Sequence, residues 1–472
     1  MRGLALTLLG AALGACSTVP RADIAPGMWL TTVDEAQKLA PVAAPPAGGV
    51  AKGDEAVTID TTKRFQKIQG FGAAITDASA QLLSGMPEER RVALMSELFG
   101  RGPDQLGLSF TRLTVGASDF SPDHYSYDDT PGNVPDPELK HFTIDYARRF
   151  VLPRTREALA INPELMVMIS PWSAPAWMKT TNSLIKGQLR PEYYPAFANY
   201  LARTVEAFER EGVPVSMLTI QNEPDFEPAD YPGMRVNSPD RAIIIGRHVG
   251  PTFKARRLKT QILDYDHNWD NPEMPWTDLS DPEARKYVSG VAWHCYEGDV
   301  PAQSQVRDAF PDKDVWFTEC SGGEWAPKFG ETLGWLTSKL IVGATNNWAR
   351  GSLFWNLALD RSHGPHKGGC GDCRGVVTID PTTGTVTRNV EYYALGHASR
   401  FVRPGAYRTA TITTGGVEAA SFVNRDGSRV AILYRKDGEG AVPIALDGER
   451  YDVTLPKGAV ATLRWGGRKG RR

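Results

Sequence analysis

The chain of 472 residues has almost no excess of either charge: 53 Lys and Arg against 55 Asp and Glu, a formal net charge of −2. That balance excludes a protein that holds nucleic acid by neutralising a run of phosphates. No apolar stretch is long enough to cross a bilayer as a helix, which takes about 20 residues. The Gly-x-Ser-x-Gly elbow, the His-Glu-x-x-His zinc helix and the phosphate-binding loop are all missing, which removes three large enzyme classes. Gly70-Phe71-Gly72 supplies only two glycines of the dinucleotide fingerprint, and no clear helix is read directly after it. Asp264-x-Asp266-x-Asn268 opens like a calcium loop but has Trp269 and Pro275 where that loop needs Gly and Glu. The sequence therefore implies no cofactor and no metal. What it has in quantity is rings: 12 Trp, 15 Tyr and 17 Phe.

At the amino end, Arg2 precedes an apolar run from Leu4 to Ala15, ending Leu13-Gly14-Ala15-Cys16. These are the proportions of a secretory signal, and its end resembles a bacterial lipoprotein cleavage box. Residues 1–15 are expected to be removed and Cys16 lipidated, giving an exported, periplasmic or outer-membrane-anchored protein that meets the membrane only through that lipid. An ordinary signal peptide is the alternative. Residues 16–66 read as an Ala/Pro-rich linker with one strand, Met28–Thr32 or Glu55–Ile59, joining a later domain. Residues 467–472 read as a solvated basic tail.

From Ile68 to Leu359 short apolar runs alternate with longer, often helix-periodic segments. The runs are Ile68–Ile75, Ser109–Val115, Leu165–Ser170, Ser216–Gln221, Thr260–Asp266, Val288–Tyr296, Val315–Cys320 and Ser352–Leu359. Eight such units give the α/β class, a (β/α)8 TIM barrel over residues 67–398, with a doubly wound sheet as the second choice. Pro87–Phe99 and Glu192–Arg210 are its clearest helices. Residues 399–466 change texture to short alternating runs separated by Asp-Gly and Lys-Gly turns, an appended antiparallel β-sandwich.

Catalytic groups of a barrel gather at the carboxyl ends of its strands. Those ends supply Asp77, Arg112, Trp172, Asn222 with Glu223, His294 with Tyr296, Glu319, and Trp355. Two carboxylic acids on strands 4 and 7 face each other across the mouth, among amides and rings. Rings stack on the apolar face of a sugar and polar groups hold its hydroxyls. Acetal hydrolysis needs one acid to protonate the leaving oxygen and one carboxylate to trap the oxocarbenium-like centre. Glu223 is assigned as acid/base and Glu319 as nucleophile. Asn222 is expected to reach the sugar 2-hydroxyl, and Arg112 to keep Glu319 ionised, which would push the Glu223 carboxyl up. A lone strand-end Glu is more often a cap or an ion-pair partner; the co-occurrence of these groups argues otherwise. Asp77 has the alternative of capping the next helix, Arg112 of an interior ion pair, and His294 of a satisfied core histidine.

Gln69–Asp77, Ser170–Lys179, Gln221–Pro224, His294–Tyr296, Phe317–Cys320 and the stretch from Ser118 through Asp129 resemble, in order, glycoside hydrolase family 30, which includes glucosylceramidases and β-1,6-glucanases. The resemblance runs from Gln66 to Leu395. It implies a barrel with a β-sandwich built from both chain ends, a retaining mechanism with the same two glutamates, and sugar contacts from Asp77, Trp172, Asn222, Tyr296 and Trp355. Ala73 and Leu353-Phe354-Trp355 depart from the family pattern, the latter from that of lysosomal glucosylceramidases. The expectation is a retaining β-glucosidase of glucosylceramidase type acting on a β-glucoside or β-glucan. Endo-β-1,6-glucanase, β-xylosidase and an inactive carbohydrate-binding lipoprotein are the alternatives.

With Cys16 set aside, four cysteines remain of five. Cys370-Gly371-Asp372-Cys373 reads as a local disulfide in a Gly-rich loop; a metal site with His363 and His366 is the weaker alternative, since the spacing matches no standard zinc pattern. Cys295 and Cys320 lie at neighbouring strand ends, where free thiols beneath the sugar fit. Six tryptophans, Trp172, Trp177, Trp269, Trp293, Trp325 and Trp355, fall at or just after strand ends and are expected to line the mouth, whereas Trp29 and Trp465 are expected to pack.

Overall fold

The computed structural model describes residues 26–466, so Cys16 with its signal and the basic tail 467–472 lie outside the described residues. Eight parallel strands close into a barrel: Gly70–Ala73, Phe110–Val115, Met166–Pro171, Met217–Thr219, Gln261–Asn268, Val288–His294, Asp314–Glu319 and Ala349–Phe354. The eighth closes on the first through Gly351 opposite Gly70. Gly70 and Gly72 are there for closeness: a Cβ on Gly72 would collide with the Phe110 carbonyl of the next strand. They are close-approach residues of a barrel strand, not a nucleotide loop. A helix, Asp77–Gly85, does follow this strand, and the hydroxyl of Thr76, not Asp77, caps it.

The barrel interior is layered, and its layers follow the two-residue period of strands. Phe110, Met168, Met217, Leu263, Ala292, Trp316 and Leu353 form one apolar layer. Two residues further along their strands stand Arg112, Ser170, Thr219, His294 and Thr318, all buried, as a polar layer directly above it. The helices outside are held by the large core. Glu88–Phe99 puts Glu88 and Glu89 at its positive end, and Tyr194–Arg210 stops before Gly212, whose φ of 80° favours glycine.

The second domain is a ten-stranded sheet with its own core. Four of its strands precede the barrel: Gly27–Thr31, Ala40–Val42, Ala47–Val50 and Val57–Lys67. Both proposed N-terminal strands therefore join it. Much of the Pro/Gly-rich stretch read as linker is also strand, because it edges the sheet, where proline costs no ladder hydrogen bond. Tyr407–Thr413, which follows the Pro404-Gly405 turn and is not among the expected strands, is one further strand. His397, on the helix Val390–Ser399, ties the domains: its ring nitrogens lie 2.8 Å from Thr31 Oγ1 and 2.9 Å from Thr462 Oγ1. No helix among the described residues is long and apolar enough to cross a membrane.

Candidate active site

Arg112 rises from the polar layer at the centre of the barrel, fully buried. Its guanidinium donates to Glu319 Oε2, to Asn222 Oδ1 at 2.7 Å, to Asp266 Oδ2 at 2.6 Å and to Ser170 Oγ at 3.2 Å. Burial of such a cation is tolerable only with this many anionic and hydrogen-bonding partners. The guanidinium carbon also lies 4.8 Å from the Trp172 ring and 5.6 Å from the Trp355 ring.

The two glutamates meet above it. Glu223 Oε1 is 3.2 Å and Glu319 Oε1 4.0 Å from the same atom, His294 Nδ1. The sum of those two distances is a ceiling on the separation of the oxygens, and it lies below most of the ~6.5–9.5 Å span that inverting enzymes use. Tyr296 donates its hydroxyl to Glu319 Oε1 at 3.0 Å. The backbone at Glu223 is left-handed, φ 46°, with its N–H on the Asp266 carbonyl at 3.0 Å, so the side chain is turned into the mouth at a strained residue.

Asp266, a strand-end residue to which the sequence assigns no role, organises the floor. Its carboxylate accepts from Arg112, Ser170, Thr219 and Thr318, and lies 3.0 Å from His294 Nε2. Burial alone would push this carboxyl up; Arg112 and His294 outweigh it and hold it far below the usual range. Simple alternation from Leu263 would turn Tyr265 inward. Two consecutive left-handed residues, Tyr265 at φ 74° and Asp266 at φ 63°, shift the phase and bring Asp266 in.

His294 is raised to about 9: burial acts to lower it, but the charge of Glu319 and the hydrogen bonds to Asp266 and Glu223 prevail. The imidazolium reverses one expectation. Burial pushes the Glu223 carboxyl up, but the His294 hydrogen bond and the charges of His267, His294 and Arg112 hold it below its ordinary value, while burial keeps Glu319 above its own. A protonated His294 thus stands within hydrogen-bond distance of Glu223, Nδ1 to Oε1 at 3.2 Å.

Above this floor opens a cavity of about 590 Å3, lined by Asp119, Trp172, Asn222, Glu223, Glu319 and Trp355 together with Phe226, Tyr231, His267, Tyr296 and Trp325. Trp172 and Trp355 stack with centroids 5.0 Å apart. Arg112 and His294, read from the strand ends as candidate site residues, are fully buried beneath the cavity and act through the glutamates. Asp77 does not line it either; its Oδ2 is taken by Ser121 and Tyr125 at 2.5 and 2.7 Å. The acid that does reach the cavity is Asp119, within the Ser118–Ser121 motif but beyond the strand end. Its Oδ1 is buried with no partner, and burial with the nearby charges of Glu319 and Glu223 pushes it to about 8.

Three of the six tryptophans expected at the mouth are core instead. Trp293 is fully buried against Tyr265, Trp269 stacks on Phe317 and donates to Gln303, and Trp177 donates to Asp128. Trp29 packs on Phe401 and Trp465 on Tyr451, as expected of them. Cys295 and Cys320 are not free thiols: they form a disulfide. Strand pairing sets His294 opposite Glu319, which places the next residues side by side. Cys370 and Cys373 are bonded as expected and stand in the cavity wall, so His363 and His366 have no thiolates to share a metal with. Among the described residues, Glu223, His267 and His294 alone approach metal spacing, and two of them already bond each other.

An acid pair over a buried arginine, in an aromatic cleft at the carboxyl end of a (β/α)8 barrel, defines a glycosidase. Comparison with known proteins agrees. The Glycosyl hydrolase family 30 TIM-barrel domain matches residues 68–402 and the family's beta sandwich domain residues 405–463, so the chain belongs to glycosyl hydrolase family 30. An endo-1,6-β-D-glucanase of Trichoderma harzianum is 34% identical over 457 residues, covering 90% of each chain. The lysosomal acid glucosylceramidase of Mus musculus is 27% identical over 440 residues, covering 87% of this chain and 83% of its own. The solved structure of an endo-β-1,6-glucanase superposes with a TM-score of 0.86 at 30% identity, covering 94% of this chain and all of the other.

Proposed function

We propose that this glycosidase hydrolyses β-1,6-linked glucan with retention of configuration. The observation that carries the chemistry is the convergence of Glu223 and Glu319 on one imidazole nitrogen while Arg112 grips Glu319 from below. A Glu319 oxygen attacks the anomeric carbon as the bond to the leaving oxygen breaks, and that oxygen takes a proton from Glu223, supplied by His294. Water then attacks the same carbon, its proton passes to Glu223, and the glycosyl bond to Glu319 breaks. Arg112 and Tyr296 set the direction of the Glu319 lone pairs; Trp172 and Trp355 offer flat faces to the sugar, and Asp119 offers a carboxyl to a hydroxyl.

The choice of linkage is supported by relatives named as endo-1,6-glucanases at 32 to 34% identity, against 27 to 30% for those named as glucosylceramidases. Glucosylceramide hydrolysis, the first expectation from sequence, is thus the second reading. The lipoprotein anchor at Cys16, and export with it, is proposed from the sequence alone. A substrate panel tests the reading: β-1,6-linked gluco-oligosaccharides, glucosylceramide, an aryl β-glucoside and an aryl β-xyloside. The β-1,6 oligosaccharides are expected to be the best substrates, with rates falling at least a thousandfold in Glu319→Gln. Preference for glucosylceramide or xyloside would replace the substrate, and full turnover in both Glu223→Gln and Glu319→Gln would remove the mechanism.

A further inference from the structure

A second cavity of about 620 Å3 adjoins the catalytic one and shares Tyr296 and Trp325 with it. Bond cleavage makes no use of it. Its position relative to the chemistry is fixed by the strands. Asp119, Trp172 and Trp355 follow strands 2, 3 and 8, and the two indoles lie over the Arg112 guanidinium. Glu223, which protonates the leaving oxygen, stands with His267 and Tyr296 on the side of strands 4, 5 and 6. Tyr296, on that side with Glu223, lines both cavities, so a leaving group protonated by Glu223 lies beside the entrance to the second one.

The groove is built of flat rings. Tyr296 is 43% exposed, Trp325 55% and Trp335 42%, and all three line it. Trp325 is backed rigidly: a Cβ on Gly323 would collide with its indole, and Gly323 pairs with Cys373 of the disulfide loop. Glu331 and Trp335 lie one helical turn apart on Phe329–Trp335, so the helix presents both to one side. Ser321, Thr332 and the Lys328–Glu331 ion pair at 2.8 Å add hydroxyl and charged groups to the lining. Aromatic faces interleaved with hydrogen-bonding groups match a pyranose, with its apolar C–H face and its hydroxyl edge. A fatty chain is matched by an aliphatic slot without exposed charge.

We propose that this groove holds the glucosyl units on the leaving-group side of a β-1,6-linked gluco-oligosaccharide, with Trp325 and Trp335 as successive stacking platforms. The inference rests on the reading of the enzyme as a β-1,6-glucan hydrolase and extends it from a single sugar pocket to a subsite array.

The test compares kcat/KM along β-1,6-linked glucose oligomers from two to five units. Wild type is expected to rise with length, and Trp335→Ala to lose about tenfold on the pentamer relative to the dimer, with Trp335→Phe keeping most of the rise. No dependence on length in wild type, or an unchanged length profile in Trp335→Ala, overturns the proposal. So does a profile that instead rises with alkyl length in alkyl β-glucosides and collapses in Trp335→Ala, which marks a lipid groove. If wild type turns over none of the oligomers and no aryl β-glucoside, the enzymatic reading fails separately. Calorimetric binding of the pentamer to wild type and Trp335→Ala then decides: about tenfold weaker binding in the variant supports the groove, and equal binding overturns it.

Discussion

Arg112 and Glu319 form a buried ion pair inside the barrel, joining strand 2 to strand 7 beneath the cavity. The same guanidinium reaches Asp266 and Asn222, so one cation fixes the carboxylate that must attack and the amide beside the acid. Lysine carries the charge but not the planar fork. Arg112→Lys is expected to fold, by its circular dichroism, and to lose about 100-fold or more in kcat on an aryl β-glucoside. A loss below threefold would show that the fork is not needed.

The proton held by His294 gives a pH signature. The imidazole is raised to about 9, so it keeps its proton below that pH and loses it as pH rises through it. Activity is expected to decline on the alkaline side near pH 9. In His294→Gln, Glu223 has only its own proton, and the decline moves to lower pH. A pH–rate profile whose alkaline limb stays in place in the variant contradicts the relay.

His397 couples the domains as a neutral ring, pushed down to about 3 by burial and by the charge of Arg400. Unfolding returns it to its ordinary value near 6.5. The unfolded state then binds the extra proton, so this contribution to stability is whole above about pH 6.5 and is lost as pH falls from there toward 3. The melting temperature is expected to fall over that window, and less steeply in His397→Gln. Equal slopes would place the acid sensitivity elsewhere.

The Cys295–Cys320 disulfide closes a loop with a sequence separation of 25, worth about 3 kcal/mol by loop-closure entropy. It also binds the residues that follow His294 and Glu319. The double Ser variant is expected to melt several degrees lower and to lose kcat as Tyr296 and Glu319 loosen, and wild type under reductant to follow it. Unchanged melting would deny the disulfide a structural part.

The barrel was legible because its strands are apolar runs broken by polar ends, and the two glutamates because each stands at such an end. Phase was harder to read. Trp293 precedes an inward His294, so alternation alone sends it outward into the core. Asp266 escaped because two left-handed residues reset the alternation, a feature of backbone with no signature in composition. Asp119 and Tyr231 sit on loops without periodicity. The disulfide at Cys295 needed the pairing of His294 with Glu319, a register that one strand does not carry. Asp77, read as a sugar ligand from its motif, also accepts at Oδ2 from the hydroxyls of Ser121 and Tyr125, 44 and 48 residues on.

The central claim is that Glu319 becomes covalently glycosylated. Incubation with an activated 2-deoxy-2-fluoro-β-glucoside, followed by peptide mass spectrometry, reads this directly, because the fluorine slows breakdown of the intermediate. The account predicts one added fluoroglucosyl group on the peptide carrying Glu319, absent in Glu319→Gln. A label on Glu223 or elsewhere, or turnover of β-glucosides with no covalent adduct and inverted product, would contradict it.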